Sequence, residues 1–434
     1  MPVVLADFID YSLEWPQVVS LPFSVLNFDV RSNIQGSNLN LRPCFDQVPS
    51  REKLALPFLK RFTESSGIAD GFDCGTVAQR RQLNEILEDS SRQNLSVKTR
   101  EIVGIIKRTM TRTRSCSNFG IEWSPVVEKA CFDFFSPCNI HRFLHLFWSG
   151  WYPNSPIIHK PTLNPEAEPP GLIASMAVLG ACLSPDANDC VRAMAWLTPV
   201  EEVAFADNIL YDDSIIASSD LVGDEVAVWD RLKALHAAYF ICIAQNWEGS
   251  KEGRQRVRKD RYSRIVSIAR SFGLYNLSLA KVDTAFSTQQ KWARLILLES
   301  MIRSFNMFTI ISALCCLIFQ YQTTLIDASQ ITPAATGLSR WIWLWQQGDH
   351  AVVNSDSYSV ENMWKRVGFM QHANEYYHLA CAMLERWKFT ERQVGDSLAA
   401  WAAPLGSAQG IPKYDDGEMV QVKALIHDME NMTY

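Results

Sequence analysis

Through NIHRFLHLFW, residues 139 to 148, apolar side chains recur at Ile140, Phe143, Leu144 and Phe147. That is the i, i+3, i+4, i+7 spacing of a helix with one buried face. The same period runs through residues 226 to 247, where Trp229, Leu232, His236, Tyr239, Phe240, Ile243 and Trp247 form a stripe that should face a core. His236 lies on that stripe and reads as a core histidine. GLIASMAVLGACL, residues 171 to 183, predicts an apolar helix ending at SPDAND, and residues 291 to 317 read as one long helix. Between the helix at 139 to 148 and the one at 171 to 183, Pro153, Pro156, Pro161, Pro165, Pro169 and Pro170 break the chain.

Upstream, residues 31 to 125 are polar and broken, with helical pieces predicted at 78 to 89 and 96 to 112. Strand-like alternation is nowhere sustained, so the fold class is all-α. The compact part is expected to begin near Phe132. The expected organisation is a variable, partly disordered region over 1–125, followed by an all-α domain over 126–434. Residues 1 to 30 hold Asp7, Asp10, Glu14 and Asp29 with no basic residue, interleaved with Phe8, Tyr11, Trp15, Phe23 and Phe28. That mixture resembles a disordered activation segment, since the acids keep the aromatics exposed for a partner. An arm packed on the domain is the other reading.

Charge narrows the picture. With 41 basic and 47 acidic side chains, a formal charge of −6 argues against coating nucleic acid or anionic membrane by bulk electrostatics. Any contact with DNA must come from a local patch, and two segments could supply one. KTREIVGIIKRTMTRTR, residues 98 to 114, carries Lys107, Arg108, Arg112 and Arg114. Residues 251 to 264 hold seven basic side chains against two acids and include Arg254, Arg256, Arg258 and Lys259. These eight are the candidate nucleic-acid or partner contacts. On a helical wheel with Val257 at zero, Ile265, Ile268, Ala269 and Phe272 fill a sector of roughly 20° to 120°. Arg254, Arg258 and Arg261 fall inside that sector, while Arg256, Lys259 and Arg264 fall outside it. The helix is expected to protrude at its N-terminal end and to bury its later turns. Its charge could pair within the molecule, form a partner-binding edge or grip DNA.

The 11 cysteines form no even framework and no basic residue precedes Arg31, which reads as a reducing intracellular compartment without a signal peptide. Between Arg303 and Asp327 the chain is uncharged, but only Met307 to Phe319 is densely apolar, short of the roughly 20 residues a spanning helix needs. A buried helix is expected there, and no membrane association. Cys131, Cys138, His141 and His145 have a spacing that fits no standard zinc module, and read as core thiols and helix-face histidines. Asp212 and Asp213 lack the third aspartate of a DDxxD motif and could simply open a helix, where acids meet the dipole favourably. No phosphate loop, dinucleotide fingerprint or nucleophile elbow is present. No catalytic residue, cofactor or metal is therefore assigned. In RWIWLWQQ, residues 340 to 347, Trp341, Trp343 and Trp345 either pack or line a small-molecule pocket.

Four blocks in order, FLHLFWSGWYPNSPIIHKPTLNPE (143–166), LIASMAVLGACLSPD (172–186), LKALHAAYFICIAQNWEGSKEGRQRVRKDRYSRIVSIARSFGL (232–274) and KWARLILLESMIRSFNMF (291–308), resemble the middle homology region of fungal-specific transcription factors. The variety that follows two-Cys, two-His zinc fingers is the most similar. The resemblance covers about 133 to 330 and implies an all-α regulatory domain, a nuclear location and transcription regulation of RNA polymerase II genes, such as a biosynthetic or metabolic set. It also implies partners among other transcription factors or the transcription machinery, and a homo- or heterodimer. The chain departs from the family in two places. Only Cys44, Cys74 and Cys116 precede the domain and no CxxC pair occurs, so no zinc reader can be built; and ESMIRS keeps only Arg303 where the family runs arginines. DNA contact is left to a partner, to the basic segment 98–114, or to an upstream exon missing from the sequence. A helical enzyme of unrecognised class and an inhibitory or inert paralogue remain the alternatives.

Overall fold

The computed structural model describes residues 67–88, 95–112, 122–217, 225–274, 292–304, 359–366 and 368. All of them fall in one compact unit built from Gly67–Ser312 and Val352–Phe369. Among the described residues there is no strand, and the class is all-α as expected. The helices are α1 (Val77–Glu88), α2 (Ser96–Arg112), α3 (Pro125–Phe134), α4 (Pro137–Leu146), α5 (Pro170–Cys182), α6 (Ala187–Phe205), α7 (Glu225–Glu248), α8 (Lys251–Arg256), α9 (Tyr262–Ser271) and α10 (292–304). A π-helical turn, Phe147–Trp151, extends α4, and a second, Val257–Arg261, joins α8 to α9.

Local chemistry sets the starts. Ser124 and Ser136 cap α3 and α4, accepting from Val127 N at 3.3 Å and Asn139 N at 3.4 Å, each followed by proline at the first helical position. Serine supplies an acceptor for an orphan amide, and proline there sacrifices a donor that would be unpaired anyway. Asp186 caps α6 and Ser250 caps α8 in the same way.

Packing is centred on α5, which is buried continuously from Leu172 to Cys182. A helix apolar on every side has no solvent face, so α4, α6 and α7 surround it. Its crossing with α4 depends on Gly180, where an added Cβ would lie 1.9 Å from the Phe143 carbonyl oxygen. Helix α7 is buried without interruption from Ala234 to Glu248, including His236, Gln245, Asn246 and Glu248.

The structure corrects three expectations. The packed body begins well before Phe132: Ile68, Leu83, Ile102, Val103 and Ile106 are buried, and Phe72 meets Trp151 and Trp247 edge-on at 5.0 and 5.2 Å. Helix α6 was not anticipated, because Pro199 inside it and the acids at 201 and 202 interrupt its apolar pattern. And the N-terminal turns of the basic segment do not protrude, since Gly253, Arg254, Val257, Arg258 and Arg261 are all buried. The expected helix at 291 to 317 is present over 292–304, and its remainder lies outside the described residues, as do residues 1 to 30 and the tryptophans at 341 to 345. Among the described residues no helix is long and apolar enough to cross a membrane.

Candidate functional site

The basic segment closes on a carboxylate. Glu201, fully buried on α6, accepts from Arg256 Nε at 2.8 Å and Nη2 at 2.6 Å, from Arg261 Nε at 2.8 Å, and from Gln245 Nε2 of α7 at 2.9 Å. Arg261 also donates to Glu202 at 2.7 Å and lies over the Phe205 ring, 4.4 Å from its centroid. Burial alone would push the Glu201 carboxyl up; the hydrogen bonds and charges of Arg256 and Arg261 outweigh it and hold the group below the usual carboxylate range. Arg258 and Arg261, three residues apart within the π turn, are both buried.

The eight candidate contacts divide sharply. Arg254 is buried and donates to the Gly249 carbonyl at 2.6 Å; Arg256 serves Glu201; Arg258 is buried and donates to Asn246 Oδ1 at 2.8 Å. Lys259 is exposed. On α2, Lys107 is exposed but tied to Glu128 at 3.0 Å, with its ammonium 5.9 Å from the Trp123 ring. Arg108 and Arg112 are exposed, and Arg114 lies outside the described residues. The sequence reading did not find Glu201, Glu202, Gln245 and Asn246, the groups that receive the arginines. Its one signal was angular: Arg254, Arg258 and Arg261, the three placed inside the apolar sector, are the three that are buried.

The residues weighed for other chemistry are held as follows. Cys131 is buried and its thiol is pushed up to about 12 by burial, with Glu128 adding to it; Cys138 is exposed. The His141 and His145 rings lie tilted with centroids 4.6 Å apart, and burial, then the nearby His141 and Lys160, push His145 down to about 4. Among the described residues no group of three or more His, Cys, Asp or Glu could hold a metal. Asp213 pairs with buried Arg231 at 3.1 Å, and Asp212 accepts from Ser214, so this pair closes a turn rather than opening a helix. His236 is buried with Nε2 2.7 Å from Ser304 Oγ. Ser304 gives its one hydroxyl proton to the Ser300 carbonyl at 2.6 Å, so Nε2 of His236 carries the donated proton.

Residues 144–192, from the end of α4 through α5 into α6, match the family model of the fungal specific transcription factor domain. This is the stretch around which the rest of the body packs. Along 96% of its length the chain is also 25% identical to the transcription factor verF of Penicillium polonicum, covering 74% of that protein. The family match falls on the first two of the four sequence blocks, and the similarity to verF runs along nearly the whole chain. No solved structure matches.

Proposed function

We propose that this protein is a nuclear transcriptional regulator of RNA polymerase II genes, controlling a fungal biosynthetic or metabolic set, and that its helical domain reaches DNA through a partner. The observation that carries the reading is the family match over residues 144–192, falling on the most buried helix of the body. The partner route is supported by the inward use of Arg254, Arg256 and Arg258, which leaves less positive surface than the sequence offers. Residues 1 to 30, acidic and aromatic, serve in this reading as the segment that contacts the transcription machinery.

The test is the transcript profile of the native host soon after induction of the chain, beside a version lacking residues 1 to 30. A compact responding gene set that falls silent in the truncated version supports the reading. An unchanged profile with the intact chain overturns it.

A further inference from the structure

Two ammonium groups converge on one indole without an acid between them. Lys160 Nζ lies 4.6 Å from the centroid of Trp364 and 5.8 Å from that of Trp148, and Lys365 Nζ lies 5.4 Å from Trp364. Among the side chains that the structure describes, no carboxylate pairs with Lys160 or Lys365. Asp73 holds Arg366 at 2.8 Å, and Glu299 holds Arg303. Lys160 is half-buried, and burial first, then the charge of Lys365, lowers its basicity. Lys365 is exposed; like charges repel, and a half-buried ammonium gains from a counter-charge.

The arrangement is built, not incidental to loose side chains. Lys160 opens a 3-10 turn in the proline-rich loop, and Trp364 and Lys365 end another, Val360–Lys365. The second turn is fastened by its neighbour Arg366, which is buried and donates to Asp73 Oδ1 at 2.8 Å, to the Ser149 carbonyl at 2.8 Å and to the Met363 carbonyl at 3.0 Å. Trp148 belongs to the π turn that Arg366 grips through Ser149, and packs edge-on against Tyr152 at 5.0 Å. Both lysines are thus presented from anchored backbone, on an apolar floor that strengthens their interaction with an anion.

We propose that Lys160 and Lys365, set over Trp364 and Trp148, form a binding site for a small oxyanion, a carboxylate or a phosphate. Such a ligand supplies the missing counter-charge to both ammoniums at once and accepts a charge-assisted hydrogen bond from each. The site is independent of any DNA contact, and it gives the domain a place where a small metabolite can bias its stability.

Calorimetric titration of the full chain with inorganic phosphate and, separately, with benzoate tests it. The expected result is saturable single-site binding of at least one probe. Phosphate alone would indicate a phosphate-bearing ligand, and benzoate alone a flat carboxylate. Lys160→Met and Lys365→Met should each weaken that binding roughly tenfold, as loss of one charge-assisted bond does. Lys160→Arg should retain it, which separates loss of charge from loss of fold. Lys365→Glu supplies an internal counter-charge, and should abolish binding while raising the melting temperature. Absence of binding by either probe, or unaltered binding in both Met variants, overturns the proposal.

Discussion

Arg256 lays two nitrogens of its guanidinium on the buried carboxylate of Glu201, at 2.8 and 2.6 Å, and so joins α8 to α6 across 55 residues of sequence. Removing one partner of a buried ion pair leaves the other desolvated and unpaired, a cost of about 3 to 5 kcal/mol. Glu201→Gln should therefore lower unfolding stability by an amount in that range, measured by urea denaturation. Lys259→Ala, on the exposed side of the same segment, should change it by less than about 0.5 kcal/mol. Equal effects of the two substitutions would contradict the inward reading of the basic segment.

The same pair makes stability depend on acid. The Glu201 carboxyl titrates lower in the folded chain than unfolded, so its contribution is present above the ordinary carboxylate range and is lost as pH falls through the folded value. The stability gap between the wild type and Glu201→Gln should accordingly be widest near neutrality and should close in strong acid. A gap independent of pH would show that Glu201 titrates alike folded and unfolded, and a gap that narrows toward neutrality would show that it is held neutral in the fold.

How much of this was legible beforehand follows from distance along the chain. The wheel drawn on Val257 needs only local geometry, and it separated buried Arg254, Arg258 and Arg261 from exposed Lys259 and Arg264, but it grouped Arg256 with the exposed pair although Arg256 turns inward to Glu201. What receives those arginines could not be read locally. Glu201 and Glu202 sit on a helix hidden by Pro199, and Gln245 and Asn246 lie off the apolar stripe, in the part of α7 that is buried on every side. The π turn at Val257–Arg261 breaks the regular period that a wheel assumes. The apolar helix at α5, by contrast, was plain, because burial on all sides writes itself into composition.

His236 gives an opposite titration to follow. Burial, with the charge of Lys233 adding to it, pushes its imidazole down to about 3 from 6.5. The unfolded chain then binds a proton between those values that the folded chain refuses, so stability should rise with pH across that window and level off above it. His236→Leu removes the titrating group and should flatten that part of the curve, although Ser304 loses its donor. An unchanged slope between pH 4 and 6 would mean that the ring is protonated inside the fold.

Gly180 tests the crossing at the centre. An added Cβ lies 1.9 Å from the Phe143 carbonyl oxygen, a backbone atom that cannot swing aside as a side chain could. Gly180→Ala should force α5 away from α4 and cost about 1 to 3 kcal/mol or more, against the small gain alanine brings to an exposed helix. Gly104→Ala on α2 is the control, because the atom nearest its Cβ is the end of the Arg108 side chain at 3.5 Å. Thermal unfolding of the two variants should fall on opposite sides of the wild type.

The exposed basic residues set what DNA contact this chain can make alone. Arg108 and Arg112 on α2 and Lys259 on the connecting turn are open to solvent, while Lys107 is tied to Glu128. Contact through a few phosphates releases a few counterions, so binding to duplex DNA should appear only at low salt and fall steeply as salt rises. Replacing Arg108 and Arg112 together by alanine should reduce the slope of log affinity against log salt by about two. Arg256→Ala should lower stability and leave that slope unchanged, because its guanidinium is already occupied by Glu201. Tight binding at physiological salt, or a slope that depends on Arg256, would place the DNA contact on the basic segment after all and remove the need for a partner.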